Sequence, residues 1–122
     1  MSDFGDATTA DNSAVGTSSN AIRGICFTAS YSPNTDDVID FLTIATLGNA
    51  LDFGDLNHIS MNGAAVCASS TRAVAGGGYD GSIQSEMDYV QIMTTGNAID
   101  FGDLDQARSQ PGAVSNGHGG LG

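Results

Sequence analysis

The hydrophobic positions of this chain fall into short runs separated by glycine, serine and asparagine, and the runs form two series of four. The runs are residues 14–17, 23–27, 38–44, 50–53, 64–68, 72–76, 87–93 and 98–101. Short runs rich in β-branched and aromatic residues, bounded by turn residues, predict strands. No window keeps apolar residues at i, i+3, i+4 and i+7 for three turns, so helices are not expected. The pattern predicts an all-β fold.

One phrase of four residues, Asp-Phe-Gly-Asp, occurs three times. Its copies begin at Asp3, Asp52 and Asp100, and their starts are separated by 49 and then 48 residues. A constant period of this size indicates stacked supersecondary units. We therefore divide the chain into a repeat at 3–51, a repeat at 52–99 and a partial repeat at 100–122. The glycine-rich stretch from about residue 116 is expected to be flexible.

The two full repeats also agree outside this phrase. The matching pairs are Arg23 and Arg72, Tyr31 and Tyr79, Asp40 and Asp88, Phe41 and Tyr89, and Ile44 and Ile92. The third strand is apolar on both faces, which is typical of a sheet covered on both sides. The fourth strand alternates, with Leu51 and Phe53 on one face and Asp52 on the other, as in an edge strand. The Gly-Asn pair before each fourth strand predicts a two-residue hairpin turn.

These features resemble one blade of a kelch-type β-propeller, which has four antiparallel strands and a glycine doublet after the second. The run 76–79, Gly-Gly-Gly-Tyr, is similar to the doublet region, and Tyr89 is similar to the family's third-strand aromatic residue. The fourth-strand tryptophan of the family is absent, and Phe53 and Phe101 stand in its place. The run 95–104 resembles kelch-like repeats in structural proteins of marine bacteriophages and environmental sequences. The resemblance implies about two and a half blades.

The charge of the chain narrows the choice of partners. It has 14 acidic residues, three arginines and no lysine, for a formal net charge of −11. Such a surface repels phosphate backbones and anionic membranes, so we expect neither as a partner. No apolar stretch approaches the roughly 20 residues of a membrane span. The first residues are acidic and show no signal peptide, and the sequence leaves the location open between the virion and the cytoplasm.

Metal and cofactor chemistry has little support in the sequence. The repeated aspartates could bind calcium, but each copy offers only two carboxylates, and we favour turn and edge-strand chemistry for them. His58 and His118 lie in non-equivalent segments, and no His-x-x-x-His or Cys-x-x-Cys spacing occurs. We expect no metal and no cofactor. Cys26 and Cys67 also occupy non-equivalent positions, and we interpret them as buried free thiols rather than a disulfide.

Four residues are candidates for ligand binding. Arg23 and Arg72 begin their second strands and could line a channel or bind an anion. The alternative, which we favour, is a salt bridge to an aspartate such as Asp40 or Asp88. Tyr31 and Tyr79 lie near loops, where an aromatic ring can stack on a sugar.

The sequence favours a non-enzymatic structural or interaction module, because no nucleophile and base occur in a recognisable arrangement. Its loops at 32–37 and 80–85 differ while the strands match, so they are the expected display surfaces. A carbohydrate-binding propeller fragment is the alternative. The chain carries one fourth strand at its start and a lone first strand at 112–115. We therefore expect self-association that completes a propeller or swaps strands, in addition to a protein or glycan partner.

Overall fold

The computed structural model describes residues 1–8, 16–28, 37–57 and 63–115, and these form eight strands and no helix. The strands are β1 (Thr17–Ser19), β2 (Arg23–Phe27), β3 (Val38–Thr43), β4 (Leu51–Asp55), β5 (Ala65–Ala68), β6 (Arg72–Gly76), β7 (Glu86–Gln91) and β8 (Ile99–Asp103). All eight overlap the predicted runs, so the all-β prediction is confirmed.

The strands form two four-stranded antiparallel sheets. Sheet 1 has the order β1-β2-β3-β4, and sheet 2 has the order β5-β6-β7-β8. Each sheet is a meander in which consecutive strands are neighbours. Each sheet spans one repeat period, but its fourth strand contains the Asp-Phe-Gly-Asp phrase that begins the next repeat. The arrangement fits four-stranded blades, while closure of such sheets into a propeller stays a prediction.

The register of the two sheets is the same strand for strand. Arg23 pairs with Thr43 in sheet 1, and its equivalent Arg72 pairs with Gln91 in sheet 2. Both third strands carry a register shift at the same place, between Ile39 and Asp40 and between Met87 and Asp88. The shared shift shows that the repeats match in local irregularities as well as in strand order.

Each sheet has two chemically different faces, because side chains alternate along a strand. We call the face that carries Arg23, Ile25 and Phe41 the front face, and the face that carries Cys26 and Asp40 the back face. In sheet 2 the front face carries Arg72, Val74 and Tyr89, and the back face carries Ala73, Ala75, Asp88 and Val90.

The hydrophobic core lies between the front face of sheet 1 and the back face of sheet 2. Its large members from sheet 1 include Ile25, Phe27 and Ile39, all at most 1% exposed. They form one cluster with the small residues Ala73 and Ala75 of β6 and with Val90 and Ile92 at the end of β7. The two alanines give the large side chains of sheet 1 room beside β6, which allows close approach of the two sheets there.

Two predicted strands at the margins of the repeats are not strands. Residues 112–115 follow an irregular path, and the Ser115 hydroxyl donates a hydrogen bond of 2.6 Å to the Ala68 carbonyl. Residues 3–6 have no sheet of their own, although they bond to the end of sheet 1 as described below. Within the part of the chain that the structure describes, no strand pairs with either stretch along its length, so both follow an irregular path.

Candidate functional site

Two kinds of short segment recur along the chain and contact each other. We call residues 3–8, 52–57 and 100–105 the docking segments, since each begins with Asp-Phe-Gly-Asp. We call residues 48–50 and 96–98, Gly-Asn-Ala in both cases, the receiving segments. Docking segment 52–57, which includes most of β4 in sheet 1, lies against receiving segment 96–98 of sheet 2, and docking segment 3–8 lies against receiving segment 48–50 of sheet 1.

The predicted Gly-Asn hairpin turn is wrong. The chain turns earlier, where the Thr94 amide donates to the Gln91 carbonyl, and the same turn joins Thr46 to Thr43. Gly48 and Gly96 then adopt φ of 151° and 153°, a conformation that glycine reaches without steric cost. This conformation keeps the receiving segment extended, so its amides face the docking segment rather than closing a hairpin.

Between described residues, five hydrogen bonds link docking segment 52–57 to sheet 2, and we call this contact the joint. The amides of Gly96 and Ala98 donate to the carbonyls of Phe53 and Asp55, both at 2.8 Å. In return, the Asp55 amide donates to the Asn97 side-chain oxygen at 3.2 Å. The last two bonds run from Asn57 to Asp88: its backbone amide donates to Oδ2 at 3.0 Å and its side-chain amide to Oδ1 at 3.2 Å.

The same contact is made a second time, by residues 3–8 on sheet 1. The Gly48 and Ala50 amides donate to the Phe4 and Asp6 carbonyls at 2.8 Å. The Asp6 amide donates to the Asn49 side chain at 3.1 Å, and Thr8 donates to Asp40 through its amide and its hydroxyl. Two independent copies with one pattern show that the contact is a property of the repeated sequence.

The aspartates at the centre of each joint are buried carboxylates. Asp40 is 1% exposed and Asp88 is fully buried, although both lie in strands made otherwise of mainly apolar residues. A carboxylate loses much of its hydration on burial, and hydrogen bonds from neighbouring donors offset that loss. Thr8 and Asn57 supply such donors, so each docking segment satisfies a charge in the sheet that receives it.

The glycine of the Asp-Phe-Gly-Asp phrase is required where the backbones of a docking segment and a receiving segment lie close together. A Cβ atom on Gly54 would lie 2.5 Å from the carbonyl carbon and oxygen of Gly96, and one on Gly5 would overlap the Gly48 carbonyl. Both glycines have φ near 147°. Gly102 has a similar φ of 133°, but a Cβ there would meet nothing within 4 Å. The third docking segment is therefore unoccupied by a neighbour within the described residues.

The two arginines stack on aromatic rings, and the predicted salt bridge to the Asp40 and Asp88 positions is wrong. Arg23 lies 4.4 Å from the centre of the Phe41 ring, and Arg72 lies 4.5 Å from that of Tyr89. The register places the arginines on the front faces, whereas both aspartates lie on the back faces. Arg23 also donates to the Ile92 carbonyl at 3.0 Å, which ties sheet 1 to sheet 2.

The predicted loop site is only partly described. Tyr31 and residues 32–36 lie outside the described residues. Tyr79 follows the end of β6, is 38% exposed and forms a bridge with Ile83. Since Arg72 begins β6, the strand separates it from Tyr79, and the structure does not bring these two candidates together.

Asp80 is an exposed aspartate in the connection between β6 and β7, and its hydrogen bonds define the shape of that connection. Its carboxylate accepts hydrogen bonds from the Ser82 amide at 3.2 Å, from the Ser82 hydroxyl and from the Gln84 side chain. Slight burial raises the pKa of Asp80, but these hydrogen bonds outweigh it and lower the pKa below its ordinary value. The carboxylate therefore stays ionised on a loop whose shape is defined by its own hydrogen bonds.

The cysteines are free, as predicted, but they are half-buried rather than buried. Cys26 lies on the back face of sheet 1 beside Asp40. Burial and, to a smaller extent, the Asp40 charge raise the pKa of the Cys26 thiol above its ordinary value. This thiol is consequently a poor nucleophile near neutral pH.

Neither known proteins nor the described side chains assign this chain to a family or a ligand. The sequence matches no protein-family model and no curated protein. Among the described residues, no three histidine, cysteine or acidic side chains gather in a way that could hold a metal ion. No described segment forms a helix that is long and apolar enough to cross a membrane. The kelch-type resemblance stays a prediction.

Sequence reasoning missed the partners of the joint: Asn49, Asn97, Thr8 and Asn57. A signal for them is present in the sequence. Asp40 and Asp88 interrupt apolar strands at equivalent positions, and a carboxylate at such a position requires donors. A search for polar residues at matching offsets in both repeats would have found Thr8 and Asn57, which each lie two residues after an Asp-Phe-Gly-Asp copy.

Proposed function

We propose that this chain is a non-enzymatic structural module that holds repeated sheets in a fixed stack and displays the β6–β7 connection to a partner. The observation that carries the proposal is the joint made twice with the same five hydrogen bonds. A contact repeated in this way supports a scaffold built from equivalent units. The kelch-type resemblance supports the interpretation of each sheet as a propeller blade from a phage-like structural protein.

The displayed surface is the connection from Tyr79 to Ser85. Asp80, Ser82 and Ile83 are exposed, and the hydrogen bonds accepted by Asp80 give this connection a defined shape. A preformed loop loses less conformational entropy when it binds than a disordered one does. This supports recognition of a protein segment by the loop.

The display function is tested by binding selections on the immobilised chain. We expect short peptides from a displayed library to bind the wild type and to lose about tenfold or more in affinity for an Asp80→Ala, Ser82→Ala, Gln84→Ala variant. The matched control carries Thr94→Ala and Thr95→Ala in the exposed connection between β7 and β8, and it should bind like the wild type. Equal binding by all three proteins would rule out display by this loop.

A glycan array run in parallel separates the carbohydrate alternative. The proposed function predicts no glycan signal that depends on Tyr79. Glycan binding that disappears in a Tyr79→Ala variant, together with no loop-dependent peptide, would replace the display function by a lectin function.

A further inference from the structure

Among the described residues, no second sheet packs on the front face of sheet 2, which we call the open face, although it is built like the buried front face of sheet 1. Phe101 is 48% exposed, whereas its equivalent Phe53 is 3% exposed. The Tyr89 and Phe101 rings nevertheless meet edge to face at 5.9 Å, as the Phe41 and Phe53 rings do. The open face already has the arrangement that its equivalent uses to bind a neighbouring sheet.

The back face of sheet 1 is the complementary surface, and among the described residues no second sheet packs on it. A cavity of about 120 Å³ lies there, lined by Cys26, Asp40, Leu42 and parts of residues 4–7. In sheet 2 the equivalent back face is buried by the front face of sheet 1. The described residues therefore contain one complete front-on-back contact and one face of each kind on which no second sheet packs.

We propose that copies of this chain associate head to tail, with the front face of sheet 2 of one copy packed on the back face of sheet 1 of another. The inference rests on the proposed structural role and names its partner. We identify the partner as a second copy because the contact inside the chain already packs a front face on a back face. Such a contact uses two different surfaces, so it can build rings or filaments.

Association of this kind would replace the docking segment already bound to sheet 1 by a docking segment of another copy. In the contact inside the chain, residues 52–57 accompany the front face of sheet 1 onto receiving segment 96–98. A second copy would bring residues 100–105 to receiving segment 48–50, where residues 3–8 of the same chain already lie. Residues 3–8 of the same chain therefore occupy receiving segment 48–50, and they must leave it before a second copy can bind there.

One residue weakens the incoming segment relative to the resident one. Thr8 and Asn57 donate side-chain hydrogen bonds to Asp40 and Asp88, but the equivalent residue of the third docking segment is Asp105. An ionised carboxylate only accepts hydrogen bonds, and it would repel the buried Asp40. Asp105 therefore disfavours the replacement of residues 3–8 by residues 100–105 of another copy. Asp105→Asn restores a side-chain donor like that of Asn57.

The test measures molar mass by sedimentation equilibrium over a concentration series of the full chain. In about 0.5 M NaCl, which screens the repulsion between chains of charge −11, we expect the mass to rise above the 12.3 kDa of one chain. Asp105→Asn should tighten association about tenfold, since a repulsion is replaced by a hydrogen bond. A constant 12.3 kDa for Asp105→Asn at all concentrations overturns the proposal.

Two further variants locate the contact. Gly102→Ala, added to Asp105→Asn, should abolish association, because the equivalent Cβ on Gly54 would lie 2.5 Å from backbone atoms of the receiving segment. Phe101→Ser should weaken association without changing the backbone. Thermal melting followed by circular dichroism confirms that each variant is folded. Association that both folded variants retain would place the contact elsewhere and overturn the proposal.

A disulfide trap tests the exchange itself. Asn49→Cys and Asp103→Cys are combined in a chain with Cys26→Ala and Cys67→Ala, since Asp103 is the equivalent of Asp6, which contacts Asn49. We expect chains linked to one another under oxidation, and none with Asn49→Cys alone. Association without such links overturns the exchange. Loop-dependent peptide binding is measured separately, so the proposed function and this inference can fail independently.

Discussion

Replacing Gly54 by alanine should destabilise the chain severely, while the same change at Gly102 should cost much less. Both glycines have a strongly positive φ, at 147° and 133°, so both variants carry a backbone strain of about 1–3 kcal/mol. Only Gly54 meets a neighbour, because its Cβ would lie 2.5 Å from the Gly96 carbonyl group. Separating the backbones of the joint should cost about 1–3 kcal/mol more.

The measurement is the free energy of unfolding from urea denaturation of both variants and the wild type. A small domain has only about 5–15 kcal/mol of stability, so the Gly54→Ala loss is a large share of it. Gly102→Ala is the matched control, since Gly102 occupies the same place in its sheet, opposite Met87, as Gly54 does opposite Ile39. Equal losses in the two variants would show that strain alone, and not the joint, explains the glycine.

Asp88→Ala should lower the free energy of unfolding by about 2–4 kcal/mol. The buried carboxylate accepts two hydrogen bonds from Asn57, and its removal leaves both donors without this acceptor. Asn57→Ala should cost only about 1 kcal/mol, because the backbone amide of residue 57 still reaches Asp88.

A charge-matched control separates hydrogen bonding from net charge. Removing any carboxylate relieves some self-repulsion in a chain of charge −11. Asp105→Ala removes the same charge from an exposed position and should change stability by less than about 0.5 kcal/mol. If Asp88→Ala were as stable as Asp105→Ala, the buried aspartate would have no part in holding the joint.

Strand positions could be predicted from the sequence because they depend on neighbouring residues. The predicted runs 23–27 and 72–76 coincide with β2 and β6 at both ends. Each is a short run of residues bounded by turn residues, so local composition was sufficient. The similarity of the repeats could also be predicted, since equivalent residues recur 48 or 49 positions apart.

The joint could not be predicted from local rules. Gly96 and Asn97 look like a hairpin turn when only adjacent strands are considered, but Asn97 bonds to Asp55, 42 residues away. The arginine prediction failed for a different reason. Pairing the second and third strands in register would have placed Arg23 and Asp40 on opposite faces, and therefore excluded their salt bridge.

The third docking segment shows that burial cannot be predicted from the phrase alone. The sequence places Phe53 and Phe101 at equivalent positions, yet Phe101 is half exposed while Phe53 is buried. The side chains are the same, and the difference is the neighbouring sheet. Burial in a repeat array depends on the next unit as well as on the residue itself.

Hydrogen exchange at the receiving segments tests most directly whether Asp-Phe-Gly-Asp joins one sheet to the next. The amides of Gly96 and Ala98 in sheet 2 bond to carbonyls of sheet 1, and the Gly48 and Ala50 amides bond to residues 3–8. Measured by NMR, all four should exchange about 100-fold or more slowly than in an unstructured peptide, and Gly54→Ala should remove the protection at Gly96 and Ala98. Exchange of these amides at the unstructured rate in the folded wild type would contradict the account.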